Sequence, residues 1–324
     1  MELKQRMRHT TVVLHRFLSP TYPEAVQDLL KLIQQLRKNN FGEDHLAMMF
    51  LPDFIEHYGQ EDYETSVKAL EVVTQFVSCE FAVRPFLQKY FDAMMMQMEA
   101  WSLHENAKVR RLASEGSRPA LPWGLAVPIL KKDPGRIMPI LENLINDPSE
   151  SVRRSVANNL NDISKNQPDV VLKFITRWMG LSKETDAIIK HGSRSLLKKG
   201  HEEILAHYNL ESRHLELSEF EILTPEVKIG DSLEFTFAVR NTDIVRQTVR
   251  LEYALYYKRL NGQVSKKVFK ISERDYEPGH VAVVKRRQSF RIITTRVYYL
   301  GDHRLSVILN GQESELQSFE LKDA

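Results

Sequence analysis

The chain contains 324 residues, of which 27% are charged and 42% hydrophobic, and its formal net charge is +2. This length predicts two domains with sizeable cores, and the near-neutral balance excludes recognition of partners through overall charge alone. No apolar run approaches the roughly 20 residues of a membrane span, and the first residues lack a signal-peptide pattern. We expect a cytoplasmic protein that contacts no membrane.

The sequence lacks the residue patterns of common cofactor sites. Cys79 is the single cysteine, which excludes an internal disulfide and fits a reducing cytoplasm. His201 and His207 are six residues apart rather than four, so they point to different faces of a helix and do not form a zinc pair. Glycine-rich phosphate-binding loops are also missing from the sequence. We therefore expect neither a metal nor a nucleotide cofactor.

Residues 1–210 show helical periodicity nearly throughout, without strand-like alternation. Two similar helices begin at Val109 and Val152, and a third, weaker copy runs from Ile188 to Lys199. Counted at positions 109, 152 and 189, the copies are 43 and 37 residues apart. This spacing fits HEAT-type helix pairs, whose period is roughly 40–47 residues. The apolar stripe of the second copy consists of Val152, Val156, Leu160 and Ile163. Stacked copies would align three polar stripes, namely Arg111/Glu115/Arg118, Arg154/Asn158/Asn161 and His191/Ser195/Lys198.

Glu115 is the one acid on these three stripes. It lies between two arginines on one face of a helix that Pro119 ends, and Trp123 follows in a proline-bounded loop. A carboxylate held there can stabilise a developing positive charge, and the basic stripe can hold a polyanion. The alternative is the solvated face of a scaffold, since charged faces are usually just exposed.

From Leu215 onward the chain changes to strand-like alternation. About seven strands in about 110 residues predict an immunoglobulin-like sandwich. Asn261-Gly262 and Asn310-Gly311 lie between apolar runs and predict hairpin turns. The fold class is therefore a HEAT-like α-superhelix (an α-solenoid) over residues 1–213, followed by an immunoglobulin-like β-sandwich over residues 214–324.

The β-sandwich region is locally basic. Residues 246–304 contain 14 Lys and Arg against 5 Asp and Glu, a balance of +9, with Lys285, Arg286, Arg287 and Arg291 clustered near the middle. Such a cluster is attracted to phosphate backbones or acidic proteins. The alternative is an ordinary basic strand edge that discourages aggregation.

Five segments carry a resemblance to a known family. Four of them resemble the AlkC branch of the HEAT-like DNA alkylation repair glycosylases: Ser78-Cys-Glu-Phe-Ala-Val-Arg-Pro-Phe-Leu87, Val109-Arg-Arg-Leu-Ala-Ser-Glu-Gly-Ser-Arg-Pro119, Leu121-Pro-Trp123 and Val152-Arg-Arg-Ser-Val-Ala-Asn-Asn-Leu-Asn-Asp-Ile163. The segment Ser193-Arg-Ser-Leu-Leu-Lys-Lys-Gly200 is similar to one shared with the sister AlkD branch. Each motif alone is weak, but together and in order they are specific. The match covers the helical domain, and the appended sandwich also looks like that of AlkC members.

The resemblance implies a monofunctional DNA glycosylase. Such an enzyme excises cationic alkylated bases from duplex DNA, 3-methyladenine above all and 3-methylcytosine as a further candidate, and captures the lesion without full base flipping. The resemblance also makes Glu115 the first candidate for the catalytic carboxylate. The chemistry agrees, because a cationic base leaves without a general acid, whereas the oxocarbenium-like sugar needs a negative charge and an oriented water.

The other site residues are predicted with alternatives. Asp162 is a second candidate acid, but it lies about 80° from the centre of its polar stripe, so an exposed or helix-stabilising role is equally compatible with the pattern. Trp123 or Trp178 can stack on the sugar or on the cationic base, with core packing as the alternative for each. The residues expected to contact DNA are Arg111, Arg118, Arg153, Arg154, Asn158, Asn161, His191, Arg194, Lys198 and Lys199, together with a clamp formed by Lys285, Arg286, Arg287 and Arg291.

We thus expect a bacterial monomer that binds duplex DNA containing alkylated bases and acts at the nucleoid. The rival hypothesis is a non-enzymatic HEAT-repeat scaffold that binds undamaged DNA or an acidic protein. Release of a base from methylated DNA separates the two.

Overall fold

The computed structural model describes residues 2–294 and 296–323 of the chain. The chain divides into two compact units between Ser195 and Leu196. In the described residues the first unit contains helices only, and the second contains two β-sheets with short helices before them. The predicted order, a helical domain followed by a β-sandwich, is confirmed.

Fourteen α-helices are found within the described ranges: α1 (Leu3–His15), α2 (Tyr22–Lys38), α3 (Phe50–Tyr58), α4 (Tyr63–Thr74), α5 (Val83–Lys89), α6 (Phe91–Ser102), α7 (Ala107–Gly116), α8 (Pro128–Lys132), α9 (Met138–Leu144), α10 (Glu150–Ser164), α11 (Pro168–Trp178), α12 (Lys183–Gly192), α13 (Arg194–Lys199) and α14 (Glu202–His207). Short 3₁₀ turns occupy Leu46–Met49 and Pro134–Arg136. None of the helices in this part of the chain is long and apolar enough to cross a membrane.

Local signals in the sequence set where these helices begin and end. The side chain of Asn106 accepts a hydrogen bond from the Lys108 amide (2.9 Å) at the start of α7, and Ser182 accepts one from the Thr185 amide (3.1 Å) at the start of α12. Both side chains satisfy amides that have no partner inside the helix. Gly180 separates α11 from α12 with a φ of +85°, which favours glycine.

Helix α10 is central to the helical unit because it packs against both α7 and α12. Its predicted apolar stripe is buried, with every member at most 2% exposed: Val152, Val156, Leu160 and Ile163. Burying such a side chain contributes roughly 1.5–3 kcal/mol. Consecutive copies of the repeated pattern therefore pack against each other.

Nine strands are found within the described ranges: β1 (Leu215–Ile222), β2 (Glu226–Lys228), β3 (Ser232–Asn241), β4 (Gln247–Lys258), β5 (Val264–Tyr276), β6 (Val281–Ser289), β7 (Gly301–Leu309), β8 (Gln312–Glu313) and β9 (Gln317–Lys322). One sheet has the order β1-β3-β6 and the other β2-β9-β7-β4-β5, with β8 paired to β7. The pairs are antiparallel except β2 with β9. The two short strands, β2 and β8, account for the excess over the seven that the pattern predicts.

The core of the sandwich follows from alternation along the strands. Phe235 and Phe237 of β3 are fully buried, as are Val249, Leu251 and Leu255 of β4. Both predicted hairpin turns are confirmed: the first joins β4 to β5, and the second joins β7 to β8. The turn glycines have φ values of +75° and +82°, which side chains with a Cβ rarely adopt.

Helices α13 and α14 contact the sandwich hairpin rather than standing apart from it. A Cβ at Gly200 would lie 3.0 Å from the carbonyl oxygen of Gly311. The side chain of Asn310 donates to the carbonyl of Glu211 (2.7 Å). For this reason the compact division falls at Ser195, whereas the change from helix to strand lies between α14 and β1, where the sequence places its boundary.

Candidate active site

Glu115 lies in the last turn of α7 and is only 6% exposed. Its Oε1 accepts a hydrogen bond from Arg118 Nη1 at 2.7 Å, and its Oε2 accepts one from Ser155 Oγ at 2.6 Å. Ser155 comes from α10, so the carboxylate is held between two packed helices. Its position is therefore fixed by charge and by hydrogen bonds from both sides.

Arg118 connects Glu115 to a second buried acid. Its Nε donates to Asp162 Oδ2 at 2.9 Å, and Lys165 Nζ donates to Asp162 Oδ1, also at 2.9 Å. Burial lowers the pKa of Arg118, but the charges of Glu115 and Asp162 outweigh it, and the pKa lies above its ordinary value. We call these three residues, Glu115, Arg118 and Asp162, the carboxylate cluster.

The cluster corrects two geometric expectations. Asp162 is 2% exposed, so the exposed role considered for it is wrong. The predicted stripe Arg111/Glu115/Arg118 is not solvated either: Arg118 is 8% exposed, and Arg111 pairs with Glu80 at 2.8 Å. The helix ends at Gly116 rather than at Arg118, so Arg118 lies just after α7. A helical wheel shows one helix only, whereas α10 covers this face of α7 and brings its own acid. The proposed DNA contacts of Arg111 and Arg118 remain predictions.

The charged residues of α10 differ in exposure. Arg153 is half-buried and donates to the carbonyls of Asp147 and Pro148, both at 2.8 Å, so it fastens the loop before the helix. The side chain of Arg154 is 66% exposed and forms an ion pair with Glu150 one turn earlier. Arg154 is therefore the cation of α10 that a phosphate can reach most easily.

The two asparagines of the same stripe bond to the next helix pair. Asn158 Oδ1 accepts from Arg194 Nη2 at 3.1 Å, and Asn161 Oδ1 accepts from the Ser195 amide at 3.1 Å. Asn161 is 4% exposed. Burial lowers the pKa of Arg194, as does the charge of Arg118. These side chains join α10 to α13, and their contact with DNA is a prediction that the geometry does not address.

The third polar stripe does not lie on one helix. The helix is interrupted at Ser193, between α12 and α13. The hydroxyl of Ser193 donates to the carbonyl of Ile189 at 2.8 Å. His191, Ser195 and Lys198 therefore belong to two helices, and the expected continuous copy from 188 to 199 is wrong. The break lies where a serine hydroxyl competes for a backbone carbonyl, which a helical pattern does not show.

The basic members of this region have different surroundings. Burial, together with Arg194 and Arg154, lowers the pKa of His191, so its imidazole is neutral at neutral pH. Lys198 donates to the carbonyl of Val268 at 3.1 Å. Lys199 is exposed. A neutral histidine contributes a hydrogen bond rather than a charge to any phosphate.

Comparisons with known proteins cover both units. The family described as "DNA alkylation repair enzyme" matches residues 6–202, and the family described as the C-terminal Ig-like domain of the uncharacterised protein YhaZ matches residues 216–323. The protein YhaZ of Bacillus subtilis (strain 168) is 44% identical over 322 residues, which span 99% of this chain and 88% of YhaZ. The solved structure of Pseudomonas fluorescens alkylpurine DNA glycosylase AlkC, bound to DNA containing an abasic site analog, matches with a TM-score of 0.92 and 34% identity, over 99% of this chain and 88% of that one.

The chain belongs to the family of DNA alkylation repair enzymes. The likeness to AlkC that the sequence motifs predict is confirmed along the whole chain. In this repair enzyme, as in AlkC, a helical domain is followed by an immunoglobulin-like one.

The two tryptophans considered for lesion contact differ in position. Trp123 of the repair enzyme follows Arg118 by five residues, is 72% exposed and has a φ of +63°. It borders a mostly apolar cavity of about 240 Å³ that Phe81 also lines. Trp178 is half-buried at the end of α11, where Arg177 lies 5.1 Å from its ring centroid. Trp123 therefore presents the more accessible ring.

The basic cluster on β6 is divided by the alternation of the strand. Lys285 and Arg287 point to one face and both pair with Glu234, at 3.0 and 3.2 Å. Arg286 points to the other face and donates to the carbonyl of Ile271 on the opposite sheet at 3.1 Å. The expectation of a single patch is wrong for Arg286, because successive side chains of a strand alternate. Arg291 is exposed just after the strand.

Sequence reasoning missed residues that hold the cluster together. Asn159 is fully buried, and its Nδ2 donates to the carbonyl of Ser114 at 2.8 Å. Arg84 of α5 is 1% exposed and donates to the carbonyls of Gly116, Arg118 and Leu125, all at 2.8 Å. An arginine inside the apolar run at residues 82–87 was the available signal.

Proposed function

We propose that this repair enzyme is a monofunctional DNA glycosylase. It hydrolyses the N-glycosidic bond of cationic alkylated bases in duplex DNA, with 3-methyladenine as its main substrate and 3-methylcytosine as a further one. It acts as a monomer in the bacterial cytoplasm and does not flip the base fully out of the duplex. The observation that carries the proposal is the carboxylate cluster, in which Arg118, five residues before the exposed Trp123, holds two buried acids. The likeness to an alkylpurine glycosylase supports the same reaction class.

The reaction needs little proton transfer at the leaving group. The bond between C1′ of the sugar and the base nitrogen breaks, and both electrons leave with the base. The base departs neutral because it began as a cation. The sugar becomes oxocarbenium-like, water adds to C1′, and that water gives up one proton to the solvent, which leaves a hydroxyl group on C1′. A preorganised negative charge stabilises the sugar cation and orients the water.

The carboxylate cluster suits this task. Its two carboxylates share the guanidinium of Arg118, Asp162 also pairs with Lys165, and the three side chains of the cluster are buried between α7 and α10. Electrostatic interactions are stronger there than in bulk water because the surroundings are less polarisable. Arg118 keeps the carboxylates apart and oriented, so we assign the catalytic charge to Glu115 with Asp162 as the second acid.

Arg154 is proposed to bind phosphate. It lines an open groove of about 390 Å³ together with Lys183 and His191. We expect Arg154→Ala to weaken binding to all DNA sequences alike and to reduce the slope of log K against log salt by about 1. Fluorescence anisotropy of labelled duplexes over a salt series measures both quantities.

The matched control for this variant is Arg136→Ala. Arg136 also forms a surface ion pair, with Asp92 at 3.3 Å, but it lies outside the predicted stripes. Its removal is expected to leave the salt slope unchanged. A loss for Arg154→Ala that is confined to one DNA sequence, with an unaltered slope, would contradict phosphate binding.

The sandwich is proposed to contact DNA through Lys285 and Arg287. Reversing both charges to glutamate in the full chain should lower duplex affinity and excision about tenfold at moderate salt, because two phosphate contacts are lost. The new glutamates would face Glu234, but both positions are more than 60% exposed, so solvent screens the repulsion and the fold should tolerate the change. Binding and single-turnover excision are measured at matched ionic strength.

The control is the same reversal at Lys228 and Lys322, on β2 and β9 of the second sheet. It changes the net charge equally and should leave excision near the parent rate. Equal losses for both pairs would mean that only total charge matters. If the reversal of Lys285 and Arg287 lowered neither duplex affinity nor excision, the cluster would be an ordinary basic strand edge that does not contact DNA.

The function itself is tested against the rival scaffold by base release. Duplex DNA treated with a methylating agent is incubated with the full chain, and the supernatant is separated by chromatography. The proposal predicts free 3-methyladenine from methylated DNA and no free base from untreated DNA. Tight DNA binding without any released base would favour the scaffold.

A further inference from the structure

The segment between α7 and α8, residues 117–127, has little regular structure. Its backbone hydrogen bonds include weak ones, from the Arg118 amide to the Glu115 carbonyl (3.4 Å) and from Gly124 to Leu121 (3.2 Å). Yet the segment carries Arg118 at its start and Trp123 near its middle. Something other than its own backbone must hold it in place.

Side chains from outside the segment supply that hold. Arg84 Nη1 donates to the carbonyls of Gly116 and Arg118, and Arg84 Nε donates to the carbonyl of Leu125. One guanidinium thus joins both ends of the segment. At its outer surface, Gln88 donates to the carbonyl of Ala126 (2.6 Å), and Lys4 donates to that of Trp123.

Arg84 is an unusual residue for its surroundings. It is 1% exposed, and burial, together with the charge of Arg118, lowers its pKa to about 10. It is still protonated at neutral pH, so a cation is retained in the interior at a cost in desolvation. The planar fork of arginine can bond several carbonyls at once, which the single ammonium of lysine cannot do in the same geometry.

We propose that Arg84 is a positioning residue for the glycosylase reaction. It fixes the segment so that Arg118 keeps Glu115 and Asp162 in place and Trp123 stays presented on the surface. Arg84 itself touches neither the DNA nor the reacting atoms. The inference rests on the proposed function for its catalytic consequence, but the hold on the segment is a property of the protein alone.

Limited proteolysis with chymotrypsin measures directly how firmly Arg84 fixes the segment 117–127. The protease cleaves after exposed aromatic residues, and it needs the chain around the bond to open locally. Trp123 is 72% exposed and Phe41, in the loop after α2, is 59% exposed. In the parent we expect cleavage after Phe41 to be faster than after Trp123, although Trp123 is the more exposed ring.

The variant Arg84→Lys keeps the charge and removes the fork. Cleavage after Trp123 should accelerate by about tenfold, the effect of losing one charge-assisted hydrogen bond, while cleavage after Phe41 stays unchanged. Single-turnover excision should slow by about 10²-fold through misplacement of the cluster, with duplex affinity within about threefold of the parent.

Arg110→Lys is the matched control. Arg110 also ties backbone carbonyls, those of His104 and Glu105, but at the other end of α7. It should alter neither the cleavage after Trp123 nor the excision rate by more than about threefold.

Three results would overturn the proposal. The first uses the unmutated protein, so a failure of a variant to fold cannot affect it. Equal cleavage rates after Trp123 and Phe41 would show that the segment 117–127 is not fixed in place. Faster cleavage at both sites in Arg84→Lys would mark an ordinary stabilising residue. Unchanged excision with a loosened segment would remove the catalytic consequence. If the parent releases no base at all, the proposed function fails, while the proteolysis still decides whether Arg84 holds the segment.

Discussion

Glu115→Gln is expected to slow base excision by at least about 10²-fold, the scale of losing one preorganised electrostatic group. Glutamine keeps the shape of the side chain, can still accept a hydrogen bond from Arg118 and can still pair with the Ser155 hydroxyl. The variant should therefore fold, and the carboxylate charge alone is removed. Duplex affinity should fall little or rise, since a negative charge near phosphate is gone. Single-turnover excision and duplex binding, measured side by side, test both expectations.

Glu142→Gln provides the control for this substitution. Glu142 accepts from Arg177 at 2.8 Å on the surface of α9, with 30% of its side chain exposed, and it is no part of the carboxylate cluster. The same chemical change there should leave the excision rate near that of the parent. If Glu115→Gln also excised 3-methyladenine at near the parent rate, Glu115 would not carry the chemistry.

Arg118→Met is expected to destabilise the helical unit by about 3–5 kcal/mol, because two buried carboxylates lose the cation between them. Asp162 retains Lys165, but Glu115 retains only the Ser155 hydroxyl. Excision should fall with the loss of orientation even in the fraction that stays folded. Denaturant unfolding followed by circular dichroism measures the stability.

The surface arginine Arg136 serves as the comparison. Its ion pair with Asp92 is largely exposed, with side-chain exposures of 47% and 86%. Arg136→Met should cost less than about 1 kcal/mol. A similar loss of stability for both arginines would contradict the buried pairing of Arg118.

The sequence predicts what depends on local pattern. Alternating apolar and polar residues at the start of β4 and the Asn-Gly turn at residues 261–262 predict a strand and a hairpin of the sandwich, because strand faces and hairpin turns are properties of neighbouring residues. The polar Arg250 and Glu252 are nevertheless buried as well. The apolar stripe of α10 is equally local. The change from helical period to strand alternation predicts the order of the two domains, and the whole-chain likeness to AlkC confirms it.

The rest depends on contacts between distant parts of the chain. Arg118 and Asp162 are 44 residues apart, and Arg84 reaches a carbonyl 41 residues away. A helical wheel places Glu115 on a polar face but does not show that α10 covers that face. The wheel therefore predicts an exposed stripe where the fold has a buried cluster, and Asp162 is misjudged for the same reason.

The break at Ser193 illustrates a second limit. Residues 188–199 keep a helical period through the break, so the pattern predicts one helix where the structure has two. The basic cluster on β6 shows the converse error, in which the sequence predicts one group and the structure has two. Three consecutive basic residues look like one patch in the sequence, but on a strand the side chain of Arg286 points to the opposite face from its neighbours.

The carboxylate cluster is proposed to drive hydrolysis of a glycosidic bond. A duplex with a single 3-methyladenine, incubated with an excess of the protein in one turnover, tests this proposal. We expect free 3-methyladenine and an intact strand with one abasic site, which alkali then cleaves. Release by Glu115→Gln should be at least about 10²-fold slower, on the scale of one lost electrostatic group. A base that stays attached while the protein remains bound, or release at equal rates by parent and variant, would contradict it.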